Sequence, residues 1–354
     1  MSALLLLALT GAALGACRGA EESSAAPPPT PSPSVPVNAP VAGTPASFPQ
    51  IYERVSPAVV SVNAATVASV RAPVADFFSG DARPLVQSMA SGSGFFISAD
   101  GLVLTNNHVV GDANELSVVL RDGRKLPARV VGRDPATDLA VLRVAGSAFP
   151  HVTFSSAANP RVGESVIAIG NPFGLGTTAT HGIVSAYGRD IGSPYVDFVQ
   201  LDAPINQGNS GGPTFNERGE VVGVNTGIFS PSGGSVGIGF AIPATTARAI
   251  ADELSRAGRV TRGFIGASLL SLPPGPDGRP GGAGVAALVP GAPAARAGLR
   301  LGDVITAVGG QEVEDAADVI RAVVAADAGQ ALAMSVLRDG RTISIDVPVQ
   351  RRPT

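Results

Sequence analysis

The chain has 354 residues, 45% of them hydrophobic and 15% charged, with a formal net charge of −3. That length and apolar content suit two domains with real cores. The slightly acidic balance supplies no basic field, which argues against nucleic acid as the partner.

The single cysteine, Cys17, excludes a disulfide framework within the chain. Ser2 to Ala16 carries no charged side chain and includes Leu4 to Leu7, which reads as the apolar stretch of an export signal over 1–16. It ends in Leu14-Gly15-Ala16-Cys17, similar to the lipobox of bacterial lipoproteins, in which the cysteine thiol takes the lipid. An ordinary secretory signal with an incidental cysteine is the plainer alternative. Residues 17–49 are rich in Pro, Ala, Ser and Thr, cannot form a core, and read as a semi-extended tether.

From Ile51 onward short apolar runs alternate with turn residues. Strands are expected at Ala58 to Val62, Gly94 to Ile97, Leu102 to Thr105, Leu116 to Leu120, Leu139 to Val144, Ser165 to Ile169, Val221 to Asn225 and Ile238 to Ile242. Turn pairs such as Asp122-Gly123 and Arg218-Gly219 separate them. Repeated short strands of this kind predict a closed barrel or sandwich. Arg71 to Ser91 has no periodicity and reads as a surface loop. Ala244 to Ala257 has helical apolar spacing and reads as the helix closing a domain over 50–258. A second β-rich unit with one or two helices occupies 259–350.

The sharpest chemical signal is Asp202-Ala-Pro-Ile-Asn-Gln-Gly-Asn-Ser-Gly-Gly-Pro213. A serine hydroxyl is a poor nucleophile without a base. Ser210 lies between Gly208 and the Gly211-Gly212 pair, which permit backbone angles that aim two N–H groups at one spot beside the hydroxyl. Gly208 and Ser210 have the spacing of an oxyanion hole. A tight glycine turn with a solvated serine is the bland alternative. Among the three histidines, His108 follows an apolar strand, whereas His151 and His181 lie in loop-like sequence and default to surface residues. Asp138 stands at the edge of the Leu139 strand, where a carboxylate can orient an imidazole.

Gly208-Asn-Ser-Gly-Gly212 also fits the elbow of α/β-hydrolases, but those enzymes place histidine after serine. Here every histidine precedes Ser210, so the only order available is His, Asp, Ser, that of chymotrypsin. A carboxylate six positions before the nucleophile selects basic residues in that template. Pro204 occupies the position here, followed by Ile205, so an apolar specificity pocket is expected. Asn209, just before the nucleophile, is neutral and cannot pair with a new N-terminal amine, the switch that activates chymotrypsin-like zymogens.

Gly92-Ser-Gly-Phe-Phe96, Thr105-Asn-Asn-His-Val-Val110, Thr137-Asp-Leu-Ala-Val-Leu142, Gly170-Asn-Pro-Phe-Gly-Leu175, Gly182-Ile-Val-Ser-Ala186, Gly208-Asn-Ser-Gly-Gly-Pro213 and Gly237-Ile-Gly-Phe-Ala-Ile-Pro243 together resemble the HtrA/Deg proteases of bacterial envelopes. Gly284 to Ile305 resembles a PDZ domain, and Arg262-Gly-Phe-Ile-Gly-Ala267 then matches its carboxylate-binding loop, with Gly263, Phe264, Ile265 and Gly266 as peptide-binding residues. The resemblance implies a mainly β chain, a chymotrypsin-like double β-barrel followed by one α+β PDZ domain. It implies His108, Asp138 and Ser210 as the triad, and Gly208, Asn209 and Ser210 as the oxyanion hole. It also implies a periplasmic endopeptidase for protein quality control and stress response, with no cofactor or metal. Its expected partners are unfolded polypeptides, C-terminal peptides and copies of itself in a homotrimer or higher multiple. His181 departs from the small hydroxyl residue of many relatives. The competing expectation is a PDZ-containing chaperone or adaptor whose barrel is catalytically idle.

Overall fold

A computed structural model of the chain describes residues 47–68, 86–157, 159–171, 176–189, 191–206, 208–231, 233–275 and 281–351. The export signal, Cys17 and nearly all of the expected tether lie outside the described residues. The tether's last two residues instead open a helix, α1 (Phe48–Val55). Pro49 suits a first helical turn because its missing N–H would be unpaired there anyway, and Gln50 Oε1 accepts from Ser47 N–H at 3.0 Å. The helix buries Ile51 and Val55.

Six strands then close a first barrel: β1 (Val59–Ala68), β2 (Val86–Phe96), β3 (Leu102–Asn106), β4 (Glu115–Val119), β5 (Lys125–Asp134) and β6 (Leu139–Val144). One helical turn, α2 (Asn107–Val110), follows β3. The second barrel is β7 (Ser165–Gly170), β8 (Thr178–Arg189), β9 (Phe198–Leu201), β10 (Pro213–Phe215), β11 (Val221–Ile228) and β12 (Gly239–Pro243). α3 (Ala244–Ala257) ends at Gly258, whose N–H bonds Leu254 O at 2.9 Å.

The strands with continuous apolar runs are buried on both faces, and their alternation sorts side chains between two cores. Phe96, Val103, Ala140 and Leu142 fill the first barrel, whereas Phe95, Leu104, Leu139 and Val141 face a shared core with Ile167, Ile169, Phe215 and Ile242 of the second. α1 and α3 seal that shared core through Ile51, Val55, Ala247, Ala251 and Leu254. A one-residue slip in any of these strands would exchange the two sets, so the register is strongly fixed.

Two expectations are corrected. Where described, the expected loop before Ser91 is strand, because β2 pairs with β1 from Val86 onward; residues 71–85 lie outside the described set. His181, expected in a loop, sits in β8 opposite Ile167 of β7. β5, β8, β9 and β10 were not anticipated. β5 and β8 are polar on one face, and β10 has three residues and carries no alternation to read.

The C-terminal unit holds a sheet ordered β14 (Ala267–Leu272), β15 (Gly282–Leu288), β16 (Val304–Val308), β18 (Ala331–Arg338), β19 (Arg341–Pro348), with β17 (Gln311–Glu312) paired to β16. β13 (Gly263–Phe264) pairs with β20 (Gln350–Arg351). A short α4 (Pro293–Arg296) and α5 (Ala316–Ala325) cover it. The Asp315 carboxylate caps α5 by accepting from Asp318 N–H at 3.0 Å. Val319 and Val323 enter a core with Ile265, Val285, Ile305, Met334 and Val347.

All the described residues fall in one compact unit. Arg262, at the entry to the C-terminal unit, forms a bidentate pair with Asp134 of β5 at 2.7 and 2.5 Å. Its guanidinium also lies over the Tyr195 ring, 4.9 Å from the centroid. The two charged side chains are only 10% and 5% exposed. Burial alone would raise the Asp134 carboxyl, but the hydrogen bonds from Arg262 and Thr137 and the Arg262 charge outweigh it and hold Asp134 below the usual carboxylate range. A depressed carboxylate stabilises the fold above its unfolded pKa, and that contribution is lost as pH falls through the lower folded value. Arg262→Met leaves a buried charge unpaired. It is expected to destabilise the protein by about 3 kcal/mol at pH 7, the gap to wild type narrowing as pH falls, first as the variant's Asp134, raised by burial once Arg262 is gone, takes up a proton and then as wild type loses its own contribution. Calorimetric melts at falling pH check it.

Candidate active site

β3 and β6 are neighbours, and Asn106 pairs with Leu139. The chain just past β3 and the chain just before β6 therefore leave the sheet together, which brings His108 on α2 to Asp138. Two backbone anchors fix the approach: Asn107 N–H and Asn106 Nδ2 both donate to Asp138 O, at 3.0 and 2.8 Å. Asp138 adopts φ +57°, a left-handed conformation that costs a non-glycine residue roughly 1 kcal/mol. These bonds over-determine it.

The Asp138 carboxylate is fully engaged. Oδ2 meets His108 Nδ1 at 2.7 Å, Oδ1 accepts from His108 N–H at 2.9 Å, and Oδ2 also accepts from Thr226 Oγ1 at 2.7 Å. The carboxylate thus holds both the ring and the backbone of His108. Asp138 is 28% exposed and His108 50%, so the pair opens to solvent on the histidine side.

Ser210 lies in the turn between β9 and β10. Backbone bonds pin the turn: Ser93 N–H to Ser210 O at 2.8 Å, Gly211 N–H to Asn225 O at 2.8 Å, Gly212 N–H to Asn209 O at 2.9 Å and Asn209 N–H to Asn206 O at 3.1 Å. Gly211 has φ +82°, and a Cβ there would lie 2.3 Å from Ser93 O, so glycine is required on both counts. No other described residue engages the Gly208 or Ser210 N–H groups. Ser210 Oγ donates to Thr226 O at 3.4 Å. Thr226 therefore touches both Ser210, through its carbonyl, and Asp138, through its hydroxyl. Asn209 is buried, its Oδ1 close against Gly170.

The other histidines are occupied elsewhere. His151 Nδ1 contacts Phe149 O at 3.2 Å, and the His181 ring stacks on Phe48 with centroids 5.2 Å apart. Ile205 is buried in a small apolar cluster with Ala168 and Ala203, partly covered by Ile228. A Cβ on Gly239 would come within 2.9 Å of Ile205 Cγ1. Pro204 O accepts from Thr180 Oγ1 at 2.9 Å. The nearest carboxylate in sequence, Asp202, accepts from Ile183 N–H at 2.6 Å.

In the C-terminal unit, Gly263 to Ala267, Leu269, Val319, Ile320, Val323 and Val324 line a groove of about 180 Å³ between β14 and α5, with Tyr195 and Arg262 also in its lining. β14 ends its sheet, so its outer edge faces the groove. Of the four expected peptide-binding residues, Ile265 is mostly turned inward, 5% exposed in the core.

Sequence reasoning missed Thr226 and Ser93. Thr226 carries no local signal: it is one threonine in an apolar strand, and only the crossing of the two barrels brings it to Asp138. Ser93 stood inside a recognised motif without a role, although a serine flanked by two glycines and followed by Phe95-Phe96 has little reason to be buried unless its hydroxyl is used.

A trypsin-like peptidase domain model matches residues 92–224 and a PDZ domain model matches 263–349. A probable periplasmic serine endoprotease, DegP-like, of Brucella suis biovar 1 (strain 1330) is 49% identical over 282 residues, 77% of this chain and 54% of its own length. A protein of the same name from Rhizobium meliloti (strain 1021) is 47% identical over 272 residues, 75% of this chain and 54% of its own. The chain thus spans about half the length of the curated relatives it matches. Among solved structures, the HtrA-type protease AlgW with a decapeptide superposes with a TM-score of 0.74 at 39% identity, covering 87% of this chain and 100% of that one. The serine endoprotease from Yersinia pestis gives 0.67 at 34%, covering 88% and 100%.

Proposed function

The chain belongs to the HtrA-type serine proteases, with a trypsin-like domain followed by one PDZ domain, and from that premise we propose that it is an endopeptidase that degrades unfolded proteins in the cell envelope. The observation that carries the reading is the Asp138 carboxylate holding His108 by ring and backbone, with Thr226 linking it to Ser210. In this reading Ser210 Oγ turns from Thr226 O to His108 Nε2, gives up its proton there and attacks the scissile carbonyl. Asp138 keeps the imidazole in the tautomer that accepts at Nε2 and stabilises the imidazolium. The carbonyl oxygen, now negative, takes hydrogen bonds from Gly208 N–H and Ser210 N–H, with Asn209 as the spacer between them. His108 then returns the proton to the leaving amine.

The names of the relatives support a periplasmic location. A lipid on Cys17 and a homotrimer or higher multiple belong to the same proposal, resting on the likeness of sequence alone. The PDZ groove would receive the C-terminus of a peptide as an added strand on β14. Tyr195, which follows β8 of the barrel, lines that groove, and neighbouring Asp197 pairs with Arg321 of α5 at 3.2 Å. Peptide in the groove would therefore touch the barrel directly and bias the geometry around Ser210, which at rest bonds Thr226 instead of His108. The shift can be no larger than the peptide's differential affinity for the two states.

Ser210→Ala is expected to lower casein turnover by roughly 10⁶-fold, and Asp138→Asn by about 10⁴-fold, with folding unchanged. Residual proteolysis by pure Ser210→Ala protein above that level would overturn the nucleophile assignment. With Pro204 and Ile205 in place of an acidic residue, the pocket cannot offset the desolvation of a cation, so cleavage is expected after Val, Ala or Ile. Mass spectrometry of digested unfolded substrate checks it, and dominant cleavage after Lys or Arg would refute it. Finally, peptides with apolar C-termini are expected to raise the cleavage rate of a reporter in the full chain. Ile320→Glu, which places a charge in the groove, should remove that increase while basal turnover persists. Equal stimulation of both proteins would exclude the groove as the sensor.

A further inference from the structure

Ser93 is fully buried in β2, facing the second barrel, and every polar group it owns is bonded to a residue outside β2. Its N–H donates to Ser210 O at 2.8 Å and its carbonyl accepts from Thr105 Oγ1 at 2.7 Å. Its hydroxyl donates to Gly208 O at 2.5 Å and accepts from Asn171 N–H at 2.8 Å. A buried serine needs one partner to be satisfied. This one has two on its hydroxyl alone, and one of them is a backbone carbonyl of the turn that carries Ser210.

The Gly208–Asn209 peptide is consequently held at both ends: its oxygen by Ser93 Oγ and its N–H by Asn206 O at 3.1 Å. The next peptide is held through Asn209 O by Gly212 N–H. The two N–H groups that flank the held peptide, those of Gly208 and Ser210, are the ones left without a partner among the described residues. Gly208 has φ +100°, in a region that glycine leaves as readily as it enters. The turn's own bonds hold the Asn209 N–H and the Asn209 carbonyl, but none of them holds the Gly208 carbonyl. That restraint comes from outside the turn: Ser93 Oγ supplies it, and the Asn171 N–H bonded to the same oxygen polarises the hydroxyl and strengthens its donation. The surroundings are close-packed: a Cβ on Gly170 would lie 2.9 Å from Ser93 Oγ and 2.4 Å from Asn209 Oδ1, and one on Gly212 would lie 3.2 Å from Ser93 Cβ.

We propose that Ser93 is a positioning residue for the reaction, a strut from the first barrel that fixes the Gly208–Asn209 peptide and so keeps the Gly208 and Ser210 N–H groups aimed at the developing oxyanion. It touches neither substrate nor Ser210 Oγ. The inference rests on Ser210 being the nucleophile and adds the device that shapes its oxyanion hole. Because the oxyanion exists only after attack, the strut acts on the transition state and not on ground-state binding. Removing it should therefore lower kcat and leave KM nearly unchanged.

The test compares wild type, Ser93→Ala, Ser93→Cys and Ser210→Ala as full chains, with three readouts. These are kcat and KM on a Val-containing peptide reporter, the affinity of a peptide boronic acid that forms a tetrahedral adduct, and the folded fraction from thermal melts. Ser93→Ala is expected to lose about 10- to 100-fold in kcat per folded molecule, below the full loss of an oxyanion donor. Boronate affinity should weaken by a similar factor, with KM within about twofold. Ser93→Cys fills the same space with a weak donor and is expected to fall between Ser93→Ala and wild type; it carries the test if the alanine variant does not fold. Unchanged kcat and boronate affinity per folded molecule in either variant overturns the strut. So does a loss that is wholly a rise in KM or a drop in folded fraction. Turnover by Ser210→Ala would instead overturn the nucleophile on which the inference rests, so the two failures are distinguishable.

Discussion

The seam between the two barrels is the constraint on which the site depends. Neither barrel holds the whole candidate site: His108 and Asp138 belong to the first, Ser210 and Thr226 to the second. Hydrogen bonds across the seam set their spacing, from Ser93 to the Ser210 turn on one side and from Thr226 to Asp138 on the other. The shared core beneath, with Phe95, Leu139, Ile169 and Phe215, makes that spacing rigid, because close-packed interiors do not slide by fractions of an ångström without cost. A site built this way is a property of the interface between two sheets and not of any one loop.

The same logic extends to the C-terminal unit. Arg262 leaves the end of the barrel region and immediately returns a bidentate pair to Asp134 of β5, with the Tyr195 ring on its face. Arginine suits this position because its planar fork matches a carboxylate and its face stacks on an aromatic ring. One side chain thereby joins three things: the linker, the first barrel and the segment before β9. The groove that receives Tyr195 is accordingly built from both units, and Asp197 with Arg321 adds a second, more exposed tie. The exposed pair is worth little in energy. The buried one is the costlier to break, because losing either partner leaves the other charge buried and unpaired.

Much of the fold was legible from local pattern. β6 and α3 begin and end where apolar periodicity said they would, because each has a strong one-element signal: an apolar run in one case, helical spacing closed by Gly258 in the other. β5 and β8 were invisible because polar residues and glycine or proline interrupt their apolar alternation, and their strand character shows only in their pairing with β6 and β7. His181 was misread as loop for the same reason. Its Gly- and Thr-rich surroundings look like turn sequence until β7 pairs along them.

The sequence by itself determined the residue types and their order. Glycines around Ser210, a histidine after an apolar strand, an aspartate before another, and every histidine ahead of the serine together left a single triad order. Those are local facts, set by backbone freedom at glycine and by strand ends that hold a side chain still. Only the tertiary structure decided which hydrogen bonds close the site. Thr226 meets Asp138, Ser93 holds Gly208, and Ser210 Oγ rests on Thr226 O. Each joins residues 16 or more positions apart, and a hydroxyl carries no sequence signal for the partner it finds. For the first two, that partner is fixed by where the two closed sheets touch, a contact set by the shared core and the hydrogen bonds across it; the third is fixed within the second barrel, where the turn before β10 meets β11.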